Sequence, residues 1–168
     1  MHLSAHEIEF RNQRLAHLET LKAAGHRPYG RAFERTGSLA EVRSAFAEGR
    51  AVRVAGRVVA VREMGKSVFA HVQDGTDKFQ IYVQKNALGD ESFAAFKAVD
   101  LGDFLGVEGE LFTTRTGEPS LKVLKWELLS KALHPLPEKW HGLSDTEVRY
   151  RQRYLDLIAN PDVRKVFN

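Results

Sequence analysis

The chain has 168 residues, of which 43% are hydrophobic and 28% charged, a composition typical of a soluble globular protein. It contains no cysteine, which excludes disulfides and thiolate metal sites and fits a reducing compartment. No apolar run approaches the roughly 18 residues that a membrane-spanning helix needs. The first ten residues do not place an apolar core after a basic segment, so we expect no secretory signal.

Charge is distributed unevenly along the chain, although the net charge is only +3. Against the single acidic Glu63, residues 50–73 carry five basic side chains: Arg50, Arg53, Arg57, Arg62 and Lys66. A local basic excess next to an exposed aromatic residue favours a polyanionic partner. The alternative is a solvated strand edge that binds nothing.

The N-terminal segment is predicted to form an amphipathic helix over residues 4–24. Ser4 and Glu7 have the spacing of a capping box, in which each side chain bonds the other residue's backbone amide. The apolar residues that recur at helical intervals are Ile8, Leu15, Leu18 and Leu21. We predict that residues 1–48 form a helical arm, with a second short helix near 38–48. Its balanced charge favours a packing role over contact with a polyanion.

In the middle of the chain, apolar and polar residues alternate as they do in β-strands. Strands are predicted at residues 50–63, 68–74, 78–85, 103–115 and 121–130, with a short helix at 90–99. Three strands, a helix and two strands is the order of a five-stranded Greek-key OB barrel. We therefore predict a mainly β fold with α elements, in which an OB barrel over residues 49–131 follows the N-terminal helix.

The C-terminal part is predicted to consist of a linker and a further helical segment. Residues 132–145 contain two prolines and few regular signals, which indicates a linker. Residues 146–168 have helical character, interrupted at Asn160–Pro161. The chain ends within an apparent new helix, so we expect a further domain of which only the start is present.

The hairpin of predicted strands two and three carries an aromatic residue on the face that should meet water. If short loops close the neighbouring hairpins, Phe69 lies opposite Arg62 on one side and Tyr82 on the other. In the same register His71 lies opposite Gln80. Directly opposed residues share a face, so these five side chains are predicted to form one patch. A register slip of one residue would scatter it.

This patch has the chemistry to bind a single-stranded base. The Phe69 ring can stack on any base, for about 1–3 kcal/mol. The Gln80 amide can accept from the N–H of uracil and donate to a carbonyl, but a flipped amide suits cytosine. Arg62 has donors only, so it can serve a uracil carbonyl and not the exocyclic amine of cytosine. Glu118, in the turn between strands four and five, can orient either side chain or accept a hydrogen from the nucleotide.

Each of these residues also has a purely structural interpretation. An exposed phenylalanine in a hairpin can be a cross-strand packing residue, Gln80 and Arg62 can be solvated, and Glu118 can be a simple turn residue. The patch is more informative than its members, because all of them lie where an OB barrel binds its ligand.

Motifs for catalysis and metal binding are missing from the sequence. The string GKS lacks the first glycine of a phosphate-binding loop, because that position is Ala60. The histidines do not show the spacing of a zinc site, and no nucleophile motif is present. We predict no catalytic residue and no metal ligand in this chain.

Several longer strings resemble bacterial class II lysyl-tRNA synthetases. They are MGKSVFAHVQD, FQIYV, DLGDFLGVEGELFTTRTGE and, above all, LLSKALHPLPEKWHGLSDTEVRYRQRYLDLIAN. The resemblance runs over essentially residues 1–168. Aspartyl and asparaginyl synthetases share the OB domain and a related RYLDL segment, but not the lead-in PLP-x-KWHGL.

The resemblance implies an N-terminal anticodon-binding domain. In that family a phenylalanine on strand two stacks on the central anticodon uridine, which an arginine seven residues earlier and a glutamine eleven residues later help to read. These spacings fall on Phe69, Arg62 and Gln80. A glutamate in the turn between strands four and five corresponds to Glu118. The candidates for contacts with the RNA backbone are Arg53, Arg57 and Lys66, and His71 and Tyr82 complete the open face.

The resemblance also implies a cytoplasmic, homodimeric parent enzyme that attaches lysine to tRNA(Lys) with ATP and magnesium. Residues 146–168 correspond to the start of its catalytic domain, so this chain alone is expected to bind neither cofactor and to be inactive. Three arginines, Arg149, Arg151 and Arg153, are expected to pack the linker against the rest of that domain, or less favourably to contact tRNA. Two alternatives stay open: an aspartyl- or asparaginyl-type anticodon module, and a stand-alone OB protein with poor base selectivity.

Overall fold

The computed structural model describes residues 5–29, 32–134 and 146–167. The chain divides into two compact units, Met1–His134 and Pro135–Asn168. Each unit has its own secondary structure, and the site predicted from the sequence belongs to the first.

The first unit contains the predicted N-terminal helix and the predicted five strands. Its helices are α1 (Ala5–Ala23), α2 (Leu39–Ser44), α3 (Lys85–Leu88) and α4 (Asp90–Phe96), and its strands are β1 (Ala51–Met64), β2 (Ser67–Gln73), β3 (Lys78–Gln84), β4 (Phe104–Thr113) and β5 (Pro119–Ser130). The order of three strands, helix and two strands is confirmed. The single turn α3 was not expected from the sequence, and α2 is shorter than predicted.

The five strands form a closed barrel in the order β1-β2-β3-β5-β4. The first half of the long β1 pairs with β4 and its second half pairs with β2, with a bulge between Val58 and Ala60. The β3–β5 pairing is parallel, whereas the other pairings in the barrel are antiparallel. Closure therefore depends on a contact between segments that are far apart in sequence.

The barrel interior follows the two-residue period of the strands. Alternate residues of β2 and β3 are buried: Val68, Ala70, Val72, Phe79, Ile81 and Val83. At the bulge in the β4–β5 pair, a Cβ on Gly109 would lie 1.9 Å from the carbonyl oxygen of Lys122. Only glycine allows the two backbones to approach so closely there.

Helix α1 packs on the barrel with only part of its apolar stripe. Leu18 and Leu21 are buried, whereas 46% of Ile8 and 36% of Leu15 are exposed. Arg14, which the apolar pattern did not select, is buried and donates hydrogen bonds to the carbonyls of Ala132 (2.9 Å) and His134 (2.8 Å). The predicted capping residue Ser4 lies outside the described residues.

A partly buried ionic cluster, called here the Lys131 cluster, consists of the buried Lys131 and Asp103 and the half-buried Asp100 and His17. The Lys131 amine donates to Asp100 at 2.5 Å and to Asp103 at 2.7 Å, and the His17 Nδ1 lies 3.0 Å from Asp100. Burial raises the pKa of Asp103, against the hydrogen bonds from Lys131 and backbone amides. At Asp100 burial acts in the same direction, but hydrogen bonds from Lys131 and His17 outweigh it and lower the pKa.

The second unit is helical in its described part. It contains α5 (Thr146–Arg151), α6 (Arg153–Ala159) and α7 (Pro161–Phe167), with the predicted break at Asn160. The buried Asp156 accepts hydrogen bonds from Arg149 (3.0 Å) and Arg153 (2.9 Å), so these two arginines pack inside this unit. Arg151 forms an exposed ion pair with Glu147. Most of the predicted linker, residues 135–145, lies outside the described residues.

None of the helices in the described part of the chain combines the length and the apolar character that crossing a membrane requires.

Candidate nucleic-acid interface

The predicted register of the β1–β2–β3 surface is confirmed. Phe69 lies opposite Arg62 on β1 and opposite Tyr82 on β3, and His71 lies opposite Gln80. Because directly opposed residues point to the same side of a sheet, the five side chains share the outer face of the barrel. We call this set the open face. Arg62 is exposed and the other four are half-buried.

Three aromatic rings lie next to one another across the open face. The Phe69 and Tyr82 rings are stacked, with centroids 4.5 Å apart and planes 26° apart. The Tyr82 ring lies 5.7 Å from that of Phe112 on β4, and its hydroxyl accepts a hydrogen bond from Gln84 at 2.8 Å. Tyr82 thus has contacts on three sides and covers one face of the Phe69 ring.

Gln80 belongs to a chain of hydrogen bonds that ends in the β4–β5 turn. Its Nε2 donates to the Ser120 hydroxyl oxygen at 2.8 Å, and that hydroxyl donates to the carbonyl oxygen of Glu118 at 3.1 Å. The same carbonyl accepts from the backbone N–H of Thr114 at 3.0 Å, which closes the turn. Glu118 therefore supports Gln80 through its backbone, in addition to any role of its carboxylate.

Ser120 and Phe112 are residues of this surface that the sequence analysis did not select. The parallel β3–β5 register places Ser120 opposite Gln80, and the antiparallel β4–β5 register places Phe112 opposite Ser120. Ser120 is completely buried. The strand period of β4 already marks Phe112 as outward-facing, since Leu111 points inward, but no local signal reports a parallel pairing across 40 residues.

Three charged side chains at the edges of the open face have no hydrogen-bond or ion-pair partner among the described residues. They are Arg62, Lys66 and the carboxylate of Glu118. Lys66 is exposed in the turn between β1 and β2, and Glu118 is half-buried in the turn between β4 and β5. Two cations and one anion are therefore available to a ligand on this surface.

Arg53 and Arg57 lie on the half of β1 that pairs with β4, and both are engaged within the protein. Arg53 lies 3.5 Å from Glu34 and 3.6 Å from Glu108, and stacks over the Phe33 ring. The Arg57 guanidinium lies over the Phe104 ring at 4.3 Å and donates to the carbonyl of Gly102 at 3.3 Å. Contact with RNA phosphates would require these arginines to share their charge with existing partners.

Asp74 stabilises the turn between β2 and β3, the two strands that carry most of the open face. One carboxylate oxygen accepts from the backbone N–H of Thr76 (2.7 Å) and of Asp77 (3.0 Å), and the other accepts from the N–H of Leu39 (2.9 Å) in α2. Burial acts to raise the pKa of Asp74, but these hydrogen bonds and that of the Thr76 hydroxyl outweigh it and lower the pKa.

A shallow cavity of about 480 Å³ lies at the Lys66 end of the hairpin. Its lining residues are Gly65, Lys66, Lys85, Asp90, Phe93, Ala94 and Lys97. Lys85 pairs with Asp90 at 3.0 Å and Lys97 pairs with Glu63 at 3.3 Å. Two of the three lysines are thus largely neutralised, and the cavity adds little positive charge beyond that of Lys66.

Comparison with known proteins identifies the barrel and relates most of the chain to one group of proteins. Residues 52–129 match a family described as an OB-fold nucleic acid binding domain. The chain is 51% identical over 152 residues to the lysine–tRNA ligase of Pelotomaculum thermopropionicum, a match that covers 89% of this chain and 30% of that protein. It is 46% identical over 161 residues to the lysine–tRNA ligase of Syntrophomonas wolfei, covering 95% of this chain and 33% of that protein.

A third lysine–tRNA ligase, from Aquifex aeolicus, is 57% identical over 119 residues, covering 70% of this chain and 20% of that protein. The chain therefore spans about a third or less of the length of these relatives. The predicted resemblance to lysyl-tRNA synthetases is confirmed, and it places the chain against their N-terminal part.

Proposed function

We propose that this chain, whose barrel belongs to the OB-fold nucleic acid binding family and whose sequence is similar to the N-terminal part of lysine–tRNA ligases, binds the anticodon loop of tRNA and reads its central uridine. The observation that carries the proposal is the open face, where Phe69, Gln80 and Arg62 lie on adjacent strands in directly opposed positions.

In the proposed complex the uracil stacks on Phe69. The ring is already held by Tyr82, so little side-chain freedom remains to be lost when the base binds. Stacking on an aromatic ring is worth about 1–3 kcal/mol per base and does not depend on which base is bound. Phe69 therefore supplies affinity and leaves the choice of base to polar neighbours.

Gln80 and Arg62 discriminate between the bases. The Gln80 amide presents a carbonyl oxygen to the N3–H of uracil and an N–H to one of its carbonyls, and Arg62 donates to a carbonyl. Cytosine has an acceptor at N3, which mismatches the Gln80 carbonyl, and an amine in place of the O4 carbonyl, which mismatches whichever side chain donates at that position. The carboxylate of Glu118 is placed at the edge of the open face, where it can accept a hydrogen from the nucleotide.

Basic side chains extend the proposed RNA contact beyond the base. Lys66 is exposed without a partner among the described residues, and it is the first candidate for a phosphate. Arg53 and Arg57 are further candidates once their present contacts are shared. Each phosphate contact makes binding weaken with salt, whereas stacking and base-edge contacts respond little.

The parent protein would attach lysine to tRNA(Lys) with ATP and magnesium, as a cytoplasmic homodimer. These parts of the proposal rest on the similarity to lysine–tRNA ligases, of which the chain spans about a third. The described residues hold no group of three or more histidine, cysteine or acidic side chains able to bind a metal ion.

The test is binding of the 168-residue chain to anticodon stem-loops that carry UUU, UCU or UAU, at several salt concentrations. We expect the central uridine to be preferred by about 1–3 kcal/mol, the discrimination typical of a good bidentate base contact. Phe69→Ala should weaken binding of all three loops by about 1–3 kcal/mol. Phe10→Ala, which removes an exposed phenylalanine from α1, serves as the matched control and should leave binding unchanged.

Equal affinity for the three loops, with binding that only weakens as salt rises, would contradict the proposal. That result would favour the stand-alone OB protein, which binds polyanions without choosing a base. Preference for the central uridine is shared with the aspartyl- and asparaginyl-type alternative, so the outer anticodon bases would then have to be varied in turn.

A further inference from the structure

We propose that Ser120 fixes the orientation of the Gln80 amide and thereby determines that the chain selects uridine over cytidine. This inference rests on the proposed function and adds a positioning residue to it. Ser120 contacts Gln80 from the neighbouring strand β5 and is itself completely buried, so it acts on the base only through Gln80.

The orientation follows from counting donors and acceptors. The Glu118 carbonyl oxygen can only accept, so the bond between it and Ser120 (3.1 Å) uses the single hydroxyl hydrogen of the serine. The Ser120 oxygen is then left with lone pairs only. Gln80, 2.8 Å away, must therefore present its NH₂ group to that oxygen and not its carbonyl.

Burial makes this arrangement difficult to reverse. Turning the amide by 180° would place two acceptors, the Gln80 carbonyl and the Ser120 oxygen, against each other where no water can intervene. Alternatively, the hydroxyl could rotate to serve the flipped amide, but its hydrogen bond to the Glu118 carbonyl would then be lost, and that carbonyl would keep only the bond from the Thr114 N–H. The observed orientation makes one more hydrogen bond than the flipped one, so it should dominate.

The fixed amide matches uracil and not cytosine. With one Nε2 hydrogen committed to Ser120, Gln80 offers its carbonyl oxygen and its second Nε2 hydrogen to the surface. The carbonyl oxygen accepts from the N3–H of uracil, and the hydrogen serves a neighbouring uracil carbonyl. In cytosine the N3 position is an acceptor, so two lone pairs would face each other. An amide able to flip would accept either base, which is the ambiguity that glutamine alone leaves.

The experiment compares the 168-residue chain with its Ser120→Ala variant on the UUU and UCU stem-loops. We expect the preference for UUU over UCU to fall about tenfold, within the discrimination that one bidentate pair provides. The loss should arise mainly because UCU binds better, while UUU affinity and the salt dependence change little. Ser67→Ala is the matched control, because the Ser67 hydroxyl bonds only the Met64 carbonyl at 3.1 Å among the described residues.

A role for Ser120 in packing alone would weaken binding of both loops equally and leave their ratio unchanged, and that result would overturn the inference. Ser120→Thr, which keeps a hydroxyl, should restore the preference. Ser120→Cys fills the same space with a much poorer hydrogen-bonding group, so it should lose the preference even if the alanine variant does not fold. Thermal unfolding of each variant shows which of them fold.

Failure of the proposed function gives a different result. If the unmodified chain binds UUU and UCU alike, both the proposed function and this inference are wrong. If the unmodified chain prefers UUU and Ser120→Ala keeps that preference in full, only the inference is wrong.

Discussion

Tyr82 is the residue on which the position of the Phe69 ring depends. It is stacked on Phe69 at 4.5 Å, contacts Phe112 and accepts a hydrogen bond from Gln84. A ring that is fixed before the base arrives loses less conformational entropy on binding than one that is not. In the proposed complex Tyr82 would therefore contribute to RNA affinity even without touching the base.

Replacing Tyr82 with leucine should weaken binding of the UUU, UCU and UAU stem-loops to the same extent. The expected loss is about 0.5–1.5 kcal/mol, the value of an aromatic pair beyond its buried area. The measurement is the dissociation constant for each loop. Tyr82→Phe is the control: it keeps the ring and removes only the hydroxyl, so it should bind nearly as well as the unmodified chain. A selective loss for UUU would instead assign Tyr82 a direct role in reading the base.

At the scale of secondary-structure elements, the β2–β3 hairpin is positioned by its turn. Asp74 accepts hydrogen bonds from two amides of the turn and from the first residue of α2, so one carboxylate connects the hairpin to the helix beside it. Because these bonds favour the charged form, the pKa of Asp74 is lower in the folded chain than in the unfolded chain.

Asp74→Asn should destabilise the chain at neutral pH by about 1.5–3 kcal/mol, the range for hydrogen bonds to a charged group. A carboxylate with a depressed pKa contributes stability above its unfolded pKa of about 3.9 and loses that contribution as pH falls through the folded pKa. The difference between the two proteins should therefore shrink below about pH 4. Urea denaturation at neutral and acid pH measures it.

The exposed Asp162, which pairs with Lys165 in the second unit, provides the control for this measurement. Asp162→Asn should change the unfolding free energy by less than about 1 kcal/mol, because an exposed ion pair contributes little. If Asp74→Asn changed the unfolding free energy at neutral pH as little as Asp162→Asn does, the stability of the turn would not depend on the carboxylate.

Features of the secondary-structure elements could be predicted where neighbouring residues determine them, but not where residues distant in sequence do. Apolar and polar residues alternate around Phe69 and Phe79, and this pattern predicted strands β2 and β3. The short loops between neighbouring strands predicted the β1–β2 and β2–β3 registers, which the structure confirms. The apolar stripe predicted for α1 is buried only in part, since Ile8 and Leu15 are exposed. Arg14 is buried, because the carbonyls of distant residues beyond β5 accept hydrogen bonds from its guanidinium. Helical periodicity carries no information about such a partner.

At the scale of the whole molecule, the Lys131 cluster connects three distant parts of the first unit. Lys131 follows β5, Asp100 and Asp103 lie between α4 and β4, and His17 belongs to α1. The Lys131 amine and the Asp103 carboxylate are both fully buried. A buried charge is tolerated only with its partner, so the cluster penalises any arrangement that separates these segments.

Lys131→Met should destabilise the chain by about 3–5 kcal/mol, because it leaves two carboxylates without their buried cation. The variant Lys131→Met with Asp103→Asn should recover part of that loss, since the fully buried unpaired charge is then removed. Urea denaturation of the single and combined variants measures both effects. Lys22→Met is the control, because Lys22 forms only an exposed pair with Glu19. Equal stability of all four proteins would show that the cluster is not a constraint on the fold.

The same distinction applies to the open face, whose residues could be predicted only where the local sequence determines their position. Arg62, Phe69 and Gln80 could be placed together from strand alternation and two short loops. Ser120 could not, because its position opposite Gln80 results from the parallel pairing that closes the barrel. Sequence patterns within one hairpin do not report which distant strand will lie beside it.

The parallel β3–β5 pairing determines when the contact between Gln80 and Ser120 can form during synthesis on the ribosome. The aromatic hairpin is complete at Gln84, but Ser120 follows only after helix α4 and strand β4 have been synthesised. A partly synthesised chain that ends before β5 can display the Phe69 ring, yet its Gln80 amide has nothing to hold it. If Ser120 orients Gln80 as proposed, such a chain would not distinguish uridine from cytidine through Gln80, and that discrimination would appear only when β5 joins the barrel.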